Sequence, residues 1–298
     1  MRADSDWCRG LGGRATVIPI AFFVVVASSA CRTPETGPAD ELQIVTSLPV
    51  IASIIRGVSG ELAEVHVLLP RNASAHDYMP RPSDVLAARA GDIELLAHPH
   101  VDGWASEFRE DPAHFIADWL SDPGLAADGR AESDLVHFWM DPGLVLRTLE
   151  PLASMLCEKR PRDCGKFHEN ASRFADMIMQ TETELRIELA RLGSIPVVAS
   201  HPFLVPFARR FNIRINAVIE GATGREPSPA DIIRIIEGVR AENAQGVVAN
   251  RVLPDHFARL VAHETGIGIA YLDPGGGDSA TYMEFLKQVS DCLLSFQK

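Results

Sequence analysis

The chain has 298 residues, a formal net charge of -12 at pH 7 and five cysteines. So acidic a chain repels polyphosphates and anionic lipid surfaces, which argues against nucleic acid and membrane surface as electrostatic partners. No CxxC pair occurs, which argues against a cysteine-based zinc site.

Residues 1–31 have the order of an export signal: Arg2, Arg9 and Arg14, then the apolar run Val17 to Val26, then Ala27-Ser28-Ser29-Ala30 ahead of Cys31. The run is too short to cross a bilayer as a mature helix. A cysteine after small residues resembles a bacterial lipoprotein signal, which implies lipidation at Cys31. Ser28 stands where leucine is common in that signal, and an ordinary signal peptide cut near Ala30 is the alternative. Either reading exports the protein, to the periplasm or the outer face of the cytoplasmic membrane. Residues 32–41, rich in proline and glycine, read as a flexible tether. About 255 residues remain for the body, enough for one large or two medium α/β lobes.

From Leu42, LQIVTSLP reads as a strand, VIASIIRGVSG as a helix and AEVHVLLP as a second strand, the unit of a parallel sheet. The loop RNASAHDYMPRPSDV follows, where Pro80 and Pro82 break regular structure and Ser83 is expected to cap a helix through Ala90. Ile93 to Ala97 is a third strand that delivers His98 and His100 at its end. Beyond the irregular acidic stretch SDPGLAADGRAESD, Asp141-Pro142 predicts a capped helix start, and Cys164 to Leu192 one long helix. The second half repeats the alternation: IPVVAS leads to His201, FNIRINAVIE to Gly221, GVVAN to Arg251 and GIGIAYL to Asp273. The segments PSPADIIRIIEGVRAE, LPDHFARLVAHET and TYMEFLKQVSDCLLSF are helical by period. The expected fold is α/β: two lobes, each a parallel-type sheet flanked by helices, joined by one long helix. The N-terminal lobe is expected over 42–164, the linking helix over 165–193 and the C-terminal lobe over 194–298.

Cys8 and Cys31 belong to the leader, leaving Cys157, Cys164 and Cys292. In an oxidising compartment Cys157 and Cys164, bracketing EKRPRD, are candidates for a small disulfide loop; two reduced thiols are the alternative. His76, His137, His201 and Asp273 recur at intervals of roughly 65 residues beside strand ends or helix entries. Neutral imidazoles with one carboxylate suit zinc and tolerate manganese or iron.

The segments IVTSLPVIASI, HDYMPRPSDV, HFWMDP, VVASHPFLVPFARRFNI, EPSPADI and YLDPGGG together resemble the metal-binding solute receptors of ABC transporters, the cluster A-I group that takes up zinc, manganese or iron. The resemblance implies His76, His137, His201 and Asp273 as metal ligands. Histidine at 201 matches the zinc type, where manganese receptors often carry glutamate. Leu135-Val136 replaces the Asp-Pro common before the second ligand, and HPHVDGW replaces a usual Asn-Gly-Trp, adding His98 and His100 as accessory candidates. No long His-rich loop is present.

The leading expectation is an extracytoplasmic receptor, acting as a monomer, that captures Zn2+ as transported ligand for a membrane permease driven by an ATPase. The same receptor with Mn2+ or Fe2+ is the first rival. A metal-dependent hydrolase needs a general base near the metal, for which Glu220 or Asp77 would be nominated, yet neither HExxH nor Gly-x-Ser-x-Gly nor a P-loop occurs. A surface adhesin is a third reading, on location alone.

Overall fold

The computed structural model describes residues 41–121, 135–192, 196–221 and 226–297. Cys31, the leader, the tether through residue 40 and most of the acidic stretch before Leu135 lie outside the described residues.

Leu42–Thr46 (β1) is β-branched and nearly wholly buried, as a central parallel strand covered on both faces must be. Pro49 opens Pro49–Ser59 (α1), where its missing N–H would have had no helical partner. Ile51, Ile54, Ile55 and Val58 form the buried stripe of α1, and Gly60 at φ 58° ends it. Ala63–Val67 (β2), Ile93–Leu96 (β3) and His114–Phe115 (β4) complete a parallel sheet in the order β2-β1-β3-β4. Val197–Ala199 (β5), Ile215–Val218 (β6), Gly246–Asn250 (β7) and Gly268–Leu272 (β8) form a second parallel sheet, ordered β6-β5-β7-β8. Both sheets share one permutation: the chain leaves the first strand to one side, then crosses to the other. That reversal opens a crevice at the carboxyl ends of the strands.

The flanking helices are Pro82–Ala90 (α2), Pro99–Asp102 (α3), Pro142–Lys159 (α4), Cys164–Leu189 (α5), Val205–Arg210 (α6), Pro229–Glu242 (α7), His256–Thr265 (α8) and Tyr282–Leu294 (α9). The long helix expected over 165–193 is α5, whose 26 residues span about 39 Å and continue as a 3-10 turn, Ala190–Leu192. Phe167, Ala171, Phe174, Ile178, Leu185 and Leu189 line its buried face. One hydrophobic core runs from Ile44 and Ile55 of the first lobe past Phe174 to Phe207, Leu272 and Phe285 of the second. The two lobes therefore share apolar packing.

The structure corrects several local expectations. Pro82 is already inside α2, so the N-cap is Arg81, and Ser83 lies in the first turn rather than capping it. The Asp84 carboxylate reaches back to accept the Arg81 N–H at 2.7 Å and the Tyr78 hydroxyl at 2.7 Å. The first two strands stop at Thr46 and Val67, short of the prolines that bounded the apolar runs. Helices α3 and α6 and strand β4 were not foreseen; none exceeds six residues, too short for a period to register. Cys157 and Cys164 are joined as a disulfide between α4 and α5. Among the described residues no helix is long and apolar enough to cross a membrane.

Candidate metal centre

Three of the four candidate side chains follow strands, and the fourth precedes a helical turn. His76 lies in the loop after β2, His201 directly after β5 and Asp273 directly after β8, while His137 precedes a 3-10 turn, Phe138–Met140, that runs into α4. Asp141 caps α4 by accepting the Gly143 N–H at 2.8 Å, which fixes the chain direction just past His137.

His76, His137 and His201 each offer a ring nitrogen, and these three atoms lie within 4.8 Å of one another. The ring centroids form a nearly equilateral triangle: 5.5 Å for His76–His137, 5.3 Å for His76–His201 and 5.3 Å for His137–His201. His137 and His201 are buried, 3% exposed each. The His201 Nδ1 is buried with no hydrogen-bond partner, an orphaned lone pair or proton of a kind that native interiors rarely leave unmet. Burial lowers all three pKa values. It carries His201 to about 4, with the His76 ring adding repulsion, and His137 well below the ordinary imidazole value, with His201, His76 and His98 adding to the effect. His76 is lowered by burial against the opposing pull of the His100 carbonyl and Asp77. Three neutral imidazoles facing one point are unprotonated donors, the state a borderline cation requires.

The loop around His76 is held from behind. Its Nδ1 is 3.2 Å from the His100 carbonyl oxygen, an acceptor only, so Nδ1 carries the proton and Nε2 the free lone pair. Trp104 Nε1 donates to the Ala75 carbonyl at 2.9 Å. His100 in turn sits in a turn organised by Asp102, which accepts the Ala97 N–H at 2.7 Å, the His98 N–H at 3.0 Å and the Ser47 hydroxyl. Burial pushes the fully enclosed Asp102 carboxyl up to about 6. Of the two accessory candidates, His98 accepts the His100 N–H at Nδ1 (3.0 Å), and its ring stacks on that of His100. His100 meets the cluster through its backbone carbonyl; neither ring joins the three-histidine group. Ser47 and Asp102 carried no recognisable motif in the sequence.

Asp273 shares with His76 and His137 a small cavity of about 30 Å3, but its carboxylate does not join the three-nitrogen group. Its oxygens instead accept N–H bonds from Gly275 (2.8 Å) and Gly277 (3.0 Å). The glycine run is required there: a Cβ on Gly277 would lie 2.7 Å from Asp273 Oδ2, and Gly276, at φ 73°, passes close over Val50. The loop is pinned to the first lobe by Trp139 Nε1 donating to the Pro274 carbonyl (2.8 Å) and the Val50 N–H donating to the Gly275 carbonyl (2.9 Å). A cavity this small suits a single ion. The charged neighbours of Glu220 are His256 and Glu226, and none of the three histidines is among them.

The zinc-uptake complex component A periplasmic family matches residues 44–295. The iron-binding protein YfeA of Yersinia pestis is 24% identical over 92% of this chain and 94% of its own length. The manganese-binding lipoprotein MntA of Halalkalibacterium halodurans is 22% identical over 93% of this chain and 96% of its own. In fold, a crystal structure of ZnuA superposes with a TM-score of 0.72 at 23% identity, covering 85% of this chain and all of that one. With three imidazoles converging between two parallel-sheet lobes, and a family match over most of its length, the chain belongs to the zinc-uptake complex component A periplasmic family, the metal-binding receptors of ABC transporters.

Proposed function

We propose that this receptor takes Zn2+ as its cargo, held by His76, His137 and His201 with Asp273 as the carboxylate partner, and passes it to a membrane permease driven by a cytoplasmic ATPase. The observation that carries the zinc reading is the third imidazole. Three neutral nitrogens and one carboxylate make a four-coordinate set of intermediate softness, which favours zinc, whereas manganese sites are richer in oxygen. Each Asp273 oxygen keeps a lone pair beyond its glycine N–H bond, so a short approach of the loop completes the shell. Glu220, one of the two bases a hydrolase would use, has His256 and Glu226 as its charged neighbours rather than the three histidines, which favours capture over hydrolysis. The order of the leader and the small residues before Cys31 support export beyond the cytoplasmic membrane with lipid at that cysteine, an ordinary signal peptide cut near Ala30 being the alternative.

Manganese or iron as cargo is the second reading, because relatives are named for those metals. Elemental analysis of the body from residue 32 onward, purified without added metal, should find one tightly held zinc. Competition titrations should then show His201→Glu losing zinc affinity by about 10- to 100-fold while gaining preference for manganese. A wild-type body that holds manganese over zinc, or takes up no stoichiometric metal, refutes the assignment.

A further inference from the structure

Away from the crevice, on the turn joining α4 to α5, a second set of metal-type donors comes together. The ligand atoms of Cys157, Cys164 and His168 lie within 4.8 Å of one another. Cys164 and His168 are spaced i, i+4 on one face of α5, and Cys157 faces them from the last turns of α4. The His168 Nε2 is 3.4 Å from Cys157 Sγ, close to the ~3.5 Å edge of a tetrahedral zinc shell with one nitrogen and one sulfur. Its other nitrogen, Nδ1, is 3.2 Å from Glu150 Oε2. A carboxylate on the far nitrogen fixes the tautomer and aims the near one, the arrangement found behind metal-binding histidines.

The sulfurs are joined as a disulfide, which occupies them as donors. We infer that this turn is a redox-gated second metal site, closed when the Cys157–Cys164 bond is intact and able to bind one Zn2+ through two thiolates and His168 once it is reduced. The reductant is a dithiol: two of its electrons and two protons open the protein disulfide, its own sulfurs form a disulfide, and two protein thiols result. Zinc binding then releases those two protons as the thiolates form. His168 is 40% exposed and Cys157 and Cys164 are half-buried, which leaves the turn open to metal and reductant. This site is separate from the cargo histidines and does not depend on how they are read.

The test uses the body from residue 32 onward, which lacks Cys31, carrying Cys292→Ser to remove the one cysteine outside the pair, with the crevice first saturated with zinc. Cobalt(II) is then titrated against the oxidised protein and against protein reduced with a non-chelating phosphine, and the near-ultraviolet thiolate-to-cobalt charge-transfer band is followed. The expected result is one further equivalent of cobalt with that band in the reduced protein only. Cys157→Ser should abolish the band, and Glu150→Gln should weaken the site about tenfold. Reduced protein that gains no band, folded or not, overturns the inference. So does a band whose affinity is unchanged in His168→Ala, because the thiols would then be binding without the built site.

Discussion

The ring nitrogen of His201 left without a partner and the Nδ1 of His76 tied to the His100 carbonyl belong to one cluster: in the proposed metal site, the His100 carbonyl turns the His76 Nε2 toward the ion. The aim depends on a residue that touches no metal ligand. Asp102 accepts two backbone N–H groups and a hydroxyl, and an amide in its place has only one oxygen to offer, turning an N–H toward an N–H. Asp102→Asn should therefore loosen the His98–His100 turn and weaken zinc binding about tenfold, measured by competition with a chromogenic chelator; unchanged affinity would show that the turn holds without it. A second buried carboxylate has the opposite character. Glu94 on β3 is 2% exposed with neither oxygen hydrogen-bonded, and burial raises its pKa to about 7, the nearby Arg109 only partly opposing. A carboxyl whose folded pKa lies above its unfolded value of 4.5 leaves stability intact below that pH; stability is lost as pH rises, the slope ending near 7. Glu94→Gln should thus melt with wild type at pH 4.5 and several degrees above it at pH 8, and equal melting at both would place Glu94 in a better-solvated setting.

Among the elements, α4, α5 and α6 are locked together behind the metal centre by ionic contacts. Arg210 at the end of α6 donates to Glu182 on α5 at 2.8 Å and lies 3.6 Å from Asp141, the wholly buried cap of α4. His137 and His201 lie in the segments leading into α4 and α6, so the network helps set the separation of two of the proposed ligands. The arginine also passes where a side chain on residue 143 would stand, a Cβ there falling 2.6 Å from its guanidinium carbon, and this accounts for Gly143. Removing this guanidinium takes a cation from beside the wholly buried Asp141 and leaves Glu182 with Arg186. Arg210→Met should cost about 3 kcal/mol in urea unfolding of the apo protein, whereas a loss under ~1 kcal/mol would mark the pair as solvent-screened.

At the scale of the whole molecule, the shared core and α5 set how far the lobes can move. Phe174 of α5 packs against Gly57 of α1 so closely that an added Cβ would fall 2.6 Å from the ring, and it also meets Tyr282 of α9. Tyr282 donates its hydroxyl to the Trp139 carbonyl at 2.8 Å, joining the second lobe to the segment that bears His137. Opening the lobes about a hinge would tear this packing, whereas shifting the His76 and Asp273 loops breaks only a few hydrogen bonds. Small-angle scattering should give the same radius of gyration with and without zinc; a clear contraction on loading would demonstrate domain closure instead.

The alternation of strands and helices and the long α5 were legible along the chain, because apolar period is a local property that survives in one dimension; the four candidate ligand positions were singled out by their placement and by the family resemblance. Three of those positions, His76, His137 and His201, meet in space, while the Asp273 oxygens turn to the Gly275 and Gly277 N–H groups, a preference that YLDPGGG does not spell out. Ser83 was misplaced because Pro82 takes the first helical position, which makes Arg81 the N-cap and leaves Asp84 at the third position to accept its N–H. Nothing in HPHVDGW reveals that the carbonyl of His100, rather than its ring, serves the site, since backbone groups are the same at every residue. The pairing of Cys157 with Cys164, the support from Asp102 and the bridge through Arg210 all join residues on different elements. Their partners are set by packing, which brings distant side chains into contact only after the sheets and helices have formed.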